Sequence, residues 1–193
     1  MTEARENKIR QVLMKRQPTL TLIFENVWDP HNISAALRSA DSVGVFEVFV
    51  IHTNVRPFTK LGKKSSASAS KWVKANYYNS VSECINEVRK KYSKIYATHL
   101  NTNSTDLYDI NFTDSIAIAF GNEHNGISDE LLSACNGNIS IPQTGMIQSL
   151  NISVACAVTL YEAFRQRKLA GMYEEKQIID SVYNDLVNEW IKK

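Results

Sequence analysis

Short apolar runs alternate with stretches of helical periodicity along this chain, and that alternation restricts its architecture more than any other feature. Residues 20–25, 46–51, 94–98, 115–120 and 138–141 have the length and composition of strands. Around them, apolar residues recur at three- and four-residue spacing. The predicted helices cover residues 3–16, 33–43 (Ile33, Ala36, Leu37, Ala40), a segment marked by Val81, Cys84, Ile85 and Val88, residues 128–135, and 152–164. A last amphipathic helix is expected over 174–193, with Ile178, Val182, Leu186 and Trp190 four apart. Such a pattern predicts an α/β fold, a mostly parallel sheet flanked by helices. The segment 152–164 is apolar nearly all round, as expected of a helix buried in a core or a dimer interface. The Ser-rich basic stretch 56–74 reads as loop. In parallel sheets ligands bind beyond the carboxyl ends of strands, which directs attention to the loops after Phe24, Thr98, Phe120 and Ile141.

At 193 residues the chain fits one globular domain, or one with helical extensions. No apolar run approaches the roughly 18 residues needed to cross a bilayer. The charged start has no signal-peptide character, so a cytoplasmic protein is expected. Cys84, Cys135 and Cys156 are odd in number and widely spaced among apolar neighbours, and read as reduced core thiols. Charge is segregated. Residues 1–16 carry a net +3 and residues 56–74 a net +6 with no acid, whereas 102–141 hold six acids and no Lys or Arg. Two basic segments with interleaved Phe58, Trp72, Tyr77 and Tyr78 favour a polyanionic partner over plain surface charge.

Neither GxGxxG nor GxxxxGK[ST] occurs, and no GxSxG elbow is present. His31, His52, His99 and His124 show no metal-ligand spacing, so no metal is expected. The polar residues that remain sit in three strand-end loops. The first, residues 25–32, leads into a helix carrying Arg38; here Asn32 or Ser34 could simply be an N-cap. In the second, Gly121 and Gly126 surround Glu123, and suit either close approach to a ligand or a plain turn. The third, residues 141–151, holds Pro142, Gly145, Ser149 and Asn151, the last two also able to cap the following helix.

Together the loops resemble the three motifs of the SpoU branch of the SPOUT RNA methyltransferases. Asn32…Arg38 stands for the first, Gly121-Asn122-Glu123 for the second, and Pro142…Gly145…Ser149-Leu150-Asn151-Ile152-Ser153 for the third. The resemblance runs from about residue 5 to 175. It implies a carboxyl-terminal trefoil knot, which general topology rules would not suggest, and a homodimer. It also implies S-adenosylmethionine as cofactor, with contacts at Thr98, Gly121, Ile141, Met146 and Leu150. The reaction it implies is methylation of a ribose 2′-hydroxyl in RNA, with Arg38 central and Asn32, Glu123, Ser149 and Asn151 in support. Glu123 could also hold Arg38 or its dimer mate. A basic helical extension over 1–18, a core over 19–168 and a helical extension over 169–193 resemble the branch members that act on guanosine 18 of the tRNA D-loop. Lys8, Arg10, Lys15, Arg16, Lys60, Lys63, Lys64 and Lys71 would then grip RNA phosphates. Ribosomal RNA, another tRNA position, or a non-catalytic RNA-binding role remain open, because the motifs do not discriminate among them. Ser68 stands where the resemblance leads one to expect glycine. An arginine acting as a literal base would have to fall from about 12.5 to about 7.5, costing roughly 7 kcal/mol, more than general-base catalysis returns. A cationic clamp is therefore the better role for such a residue.

Overall fold

Seven strands, all parallel, form one sheet in the order β3-β2-β1-β6-β4-β7-β5 in the computed structural model, which describes residues 2–53, 68–101, 103–147 and 149–193. The strands are β1 (Leu20–Glu25), β2 (Glu47–Ile51), β3 (Lys74–Tyr78), β4 (Lys94–Thr98), β5 (Thr105–Asp106), β6 (Ile116–Phe120) and β7 (Gly137–Ser140). The helices are α1 (Glu3–Met14), α2 (Pro30–Ser42), α3 (Val81–Arg89), α4 (Asp129–Ser133), α5 (Ile152–Leu169) and α6 (Asp180–Ile191). The central strands β1, β2 and β6 are buried along their whole length, as continuous apolar runs with helices on both faces must be. One core layer joins α2 and α5 to the sheet through Leu22, Phe24, Leu37, Ile118, Cys156 and Leu160; the other packs α3 beneath Ile23, Phe49, Ala117 and Ala119.

Two strands were not expected from the sequence. β3 begins at Lys74, the last residue of the presumed loop; its Lys-Ala-Asn-Tyr-Tyr is a half-exposed sheet edge without an apolar run. β5 has only two residues at the opposite edge. The three cysteines are free, and burial pushes the thiols up, to about 12 at Cys84 and about 11 at Cys135, so they stay protonated.

The terminal helices pack on each other. Ile9 and Leu13 of α1 meet Val187 and Trp190 of α6, with Trp72 against the Trp190 ring at 4.9 Å. Val182, expected on the inner stripe of α6, lies at its margin, 37% exposed. Arg16 corrects an expectation about RNA contacts. It has no exposed surface; it donates to Val45 O (2.8 Å) and to Asp41 Oδ1 (2.5 Å), and lies over the Trp190 ring. Its guanidinium ties α1 to α2 and α6 instead of facing solvent. Lys8, Arg10, Lys15 and Lys71 are exposed, although Arg10 donates through Nε and Nη2 to one oxygen of Glu6. Lys60, Lys63 and Lys64 lie outside the described residues.

Candidate active site

A cavity of about 450 Å³ opens beyond the carboxyl ends of β4, β6 and β7. That volume lies within the range of small-molecule sites. Thr98, Gly121, Ile141 and Leu150 line it, together with Glu123, Ser149 and Asn151. His99, Leu100, Gln143 and Ile139, not singled out in the sequence, line it too; each follows or ends a strand at that edge. Ile139, Ile141, Leu150 and Ile152 supply apolar walls. Between residues 141 and 150 the described backbone forms neither helix nor strand, so its amides and carbonyls remain outside any ladder. Met146 does not join this lining; it is 99% exposed.

The three loops meet through one chain of hydrogen bonds. Glu123 Oε2 accepts from the Trp28 backbone N–H (2.9 Å) and Oε1 from Asn32 Nδ2 (2.8 Å). Asn32 Oδ1 in turn accepts from Asn151 Nδ2 (3.2 Å), and Asn151 Oδ1 accepts from Ser153 N (2.9 Å) at the start of α5. Asn151 is thus both the N-cap of α5 and a link in the network. Asn32 is no cap: Asp29 caps α2, with Pro30 in the first turn, where its missing N–H costs nothing. This places the Asn32 amide inside the first turn, turned to the Gly121–Gly126 loop.

Gly121 closes that loop and also lines the cavity. A Cβ there would lie 2.2 Å from the Gly126 backbone, because Asn122 and Gly126 exchange both backbone hydrogen bonds. The tight closure, with Gly126 at φ +69°, presents Glu123. Arg38 stands apart. It lies on the exposed face of α2, does not line the cavity, and has no hydrogen bond or ion pair among the described residues. Within one chain the Glu123 oxygens accept from Trp28 and Asn32, and no Glu123–Arg38 pair is formed among the described residues. Arg38 is one turn before Ser42, whose Oγ lies 3.5 Å from Tyr161 OH of α5.

A parallel sheet whose carboxyl ends hold a mixed apolar and polar cavity, framed by three linked polar loops, defines an α/β protein with a small-molecule site in the usual place for such sheets. The chain belongs to the SpoU rRNA Methylase family, whose model matches residues 19–161. It is 38% identical over 192 residues to a tRNA (guanosine(18)-2'-O)-methyltransferase of Thermus thermophilus, covering all of this chain and 98% of that one. The crystal structure of the Aquifex aeolicus TrmH/SpoU tRNA modifying enzyme superposes with a TM-score of 0.90 at 32% identity, over 98% of this chain and 96% of the other. The SpoU methyltransferase AviRb from Streptomyces viridochromogenes, solved in complex with the cofactor AdoMet, superposes at 0.70 with 26% identity, over 80% of this chain and 59% of that chain.

Proposed function

We propose that this protein transfers a methyl group from S-adenosylmethionine to the 2′-hydroxyl of guanosine 18 in the tRNA D-loop. The observation that carries the reading is the joining of Asn32, Glu123 and Asn151, one from each motif, at the rim of a cavity suited to an adenosine. The residues present fit that cofactor. Ile141 and Leu150 would flank the adenine, the backbone after Thr98 and at Gly121 would take its polar edges, and Ser149 and Glu123 line the polar side. Bound there, the cofactor supplies an electrophilic methyl on a sulfonium.

Asn32, Glu123 and Asn151 form a preorganised polar rim that orients the acceptor ribose. Such alignment is worth up to roughly 7–11 kcal/mol. Arg38 would clamp a substrate phosphate and stabilise charge developing on the hydroxyl oxygen. Because it lies one turn from Ser42, which meets Tyr161 on the outer α2–α5 face where Val154 is also exposed, we take this face to be covered by a second copy of the chain. A homodimer formed there would carry Arg38 of one protomer toward its partner's cavity. The trefoil knot belongs to the same reading. β6 is inserted between β1 and β4, β7 lies beyond β4, and α5 then returns to pack on α2, an order of crossings that supports the knot. Lys8, Arg10, Lys15 and Lys71, with Lys60, Lys63 and Lys64, would hold tRNA phosphates.

The test is incubation with unmodified tRNA transcripts and radiolabelled S-adenosylmethionine, followed by digestion and mass spectrometry of the labelled nucleoside. Label in 2′-O-methylguanosine at position 18 is the expected result. Label only on ribosomal RNA would keep the reaction and replace the substrate, and no label on either would end the enzymatic reading.

A further inference from the structure

The Gly121–Gly126 loop has a second cavity on its other side, about 280 Å³, lined by residues of the β1–α2 turn and of the loop itself. Its polar groups divide into two sets. The first set builds the walls and is saturated. Asn26, held at φ 51°, exchanges two hydrogen bonds with Thr53, at 2.8 Å each. The Asn122 amide donates to Asn26 O (2.6 Å) and accepts from the backbone of His124 and Asn125. The buried Glu25 carboxylate accepts from Ser128 N (2.8 Å) and Ser128 Oγ (2.6 Å).

The second set lines the cavity and is unengaged. Trp28 is 67% exposed, although its backbone N–H is fixed by Glu123. The His124 imidazole and the Asn125 carboxamide form no hydrogen bond among the described residues. A rigid polar frame presenting an aromatic face, an imidazole and an amide is the combination that reads an unpaired base, by stacking and by edge hydrogen bonds. Position narrows the choice of base. Asn122 and Gly126 line both cavities, so the two are separated by one loop whose outward carboxylate, Glu123, belongs to the ribose-orienting rim. A ribose held at that rim carries its own base one glycosidic bond away.

We infer that this second cavity is a nucleobase subsite in which Trp28 stacks on the base of the acceptor nucleotide, turned out of its RNA loop, while His124 and Asn125 read its edge. The inference rests on the RNA 2′-O-methylation reading above and adds the residues that choose the nucleotide. Trp28 acts on binding in the ground and transition states alike, so its loss should raise KM far more than it lowers kcat.

The experiment compares wild type, Trp28→Ala and Trp28→Phe on intact tRNA and on tRNA abasic at the acceptor nucleotide, with cofactor affinity measured by calorimetry. Trp28→Ala keeps the backbone N–H to Glu123. It should lower kcat/KM on intact tRNA by about 5- to 150-fold, and Trp28→Phe should recover most of that loss. On abasic tRNA the three proteins should be equal, and cofactor affinity should be unchanged throughout. Full activity of Trp28→Ala, an undiminished loss on abasic tRNA, or a weakened cofactor affinity would each overturn the inference. Tryptophan emission gives a readout independent of turnover. If wild type methylates no tRNA yet tRNA quenches an emission component absent from Trp28→Phe, the methylation reading fails and the base subsite stands. Emission unmoved by tRNA overturns the subsite.

Discussion

Both oxygens of Glu123 are committed within the chain, one to a backbone N–H and one to an amide, so its role in the rim is to hold Trp28 and Asn32 in place. Arg38 has the opposite character, exposed and unpaired among the described residues. An unpaired guanidinium is free to take a substrate phosphate, the clamp role. Arg38→Ala should therefore reduce kcat at least about a hundredfold, with cofactor affinity by calorimetry unchanged; a variant keeping a tenth of the rate would remove Arg38 from the central role. Ser68 offers a test of stability. It occupies the left-handed region at φ 70° and makes no capping hydrogen bond through its side chain, where the family resemblance led one to expect glycine. Ser68→Gly should relieve strain of about 1 kcal/mol, partly offset by the freer unfolded chain, so denaturant midpoints should rise slightly or hold, never fall. Spacing made Asn32, Glu123 and Asn151 legible, because motif order survives in a linear sequence. It could not reveal that Arg16 is buried, since Asp41, Val45 and Trp190 meet it only across the fold. Nor could it show that Gly121 is required by Gly126.

At the scale of elements, α5 is the most constrained part of the chain. Its first turn is tied to α2 through Asn151 and Asn32, and its last turn is tied to the far end of the sheet through Arg167. That guanidinium is fully buried and donates to Phe112 O (2.8 Å), Gln17 Oε1 (3.1 Å), Thr19 Oγ1 (2.9 Å), Thr19 O (3.1 Å) and Asp114 O (2.8 Å). It clasps the segments that lead into β1 and β6. Arg167→Met keeps the apolar stem but strands several buried acceptors, each costing about 1–3 kcal/mol. A loss of at least about 3 kcal/mol is expected in chemical denaturation, and a loss below about 1 kcal/mol would mean that water replaces the clasp without penalty. The role of α5 was only half legible. Its apolar content announced burial, whereas its two buried charged residues, Glu162 and Arg167, follow from carbonyls and side chains that no periodicity encodes. β3 was hidden for the reverse reason: an exposed edge strand needs no apolar run, so Lys74–Tyr78 gives no alternating signal.

Across the whole molecule, the exposed cations of α1 and Lys71 lie toward the amino ends of the strands, opposite the candidate reaction cavity. The cavity is beyond the carboxyl ends of β4, β6 and β7. The α1–α6 pair contacts Trp72, just before the amino end of β3, and Lys71 of the same turn accepts through its carbonyl from Lys193 Nζ. Strands of five or six residues rise about 3.3 Å per residue, so these ends are on the order of 17–20 Å apart. A ligand that engages both must be a macromolecule, or must lie across two protomers. The segregation already visible in the sequence then acquires a geometric meaning, because a tRNA body can reach α1 while its loop enters the cavity, and an isolated loop cannot. Binding of full tRNA should accordingly fall steeply with salt, and Lys8→Glu or Lys15→Glu should each flatten the log–log slope by about 0.9. A short hairpin carrying only the D-arm should bind more weakly, with a smaller slope that neither substitution changes. Glu130→Lys, within the acidic stretch 102–141, should leave both slopes unaltered. If the hairpin proved as sensitive to Lys8→Glu as the full tRNA, α1 would have to lie within reach of the loop itself, and the partner's α1 would be the helix that supplies it.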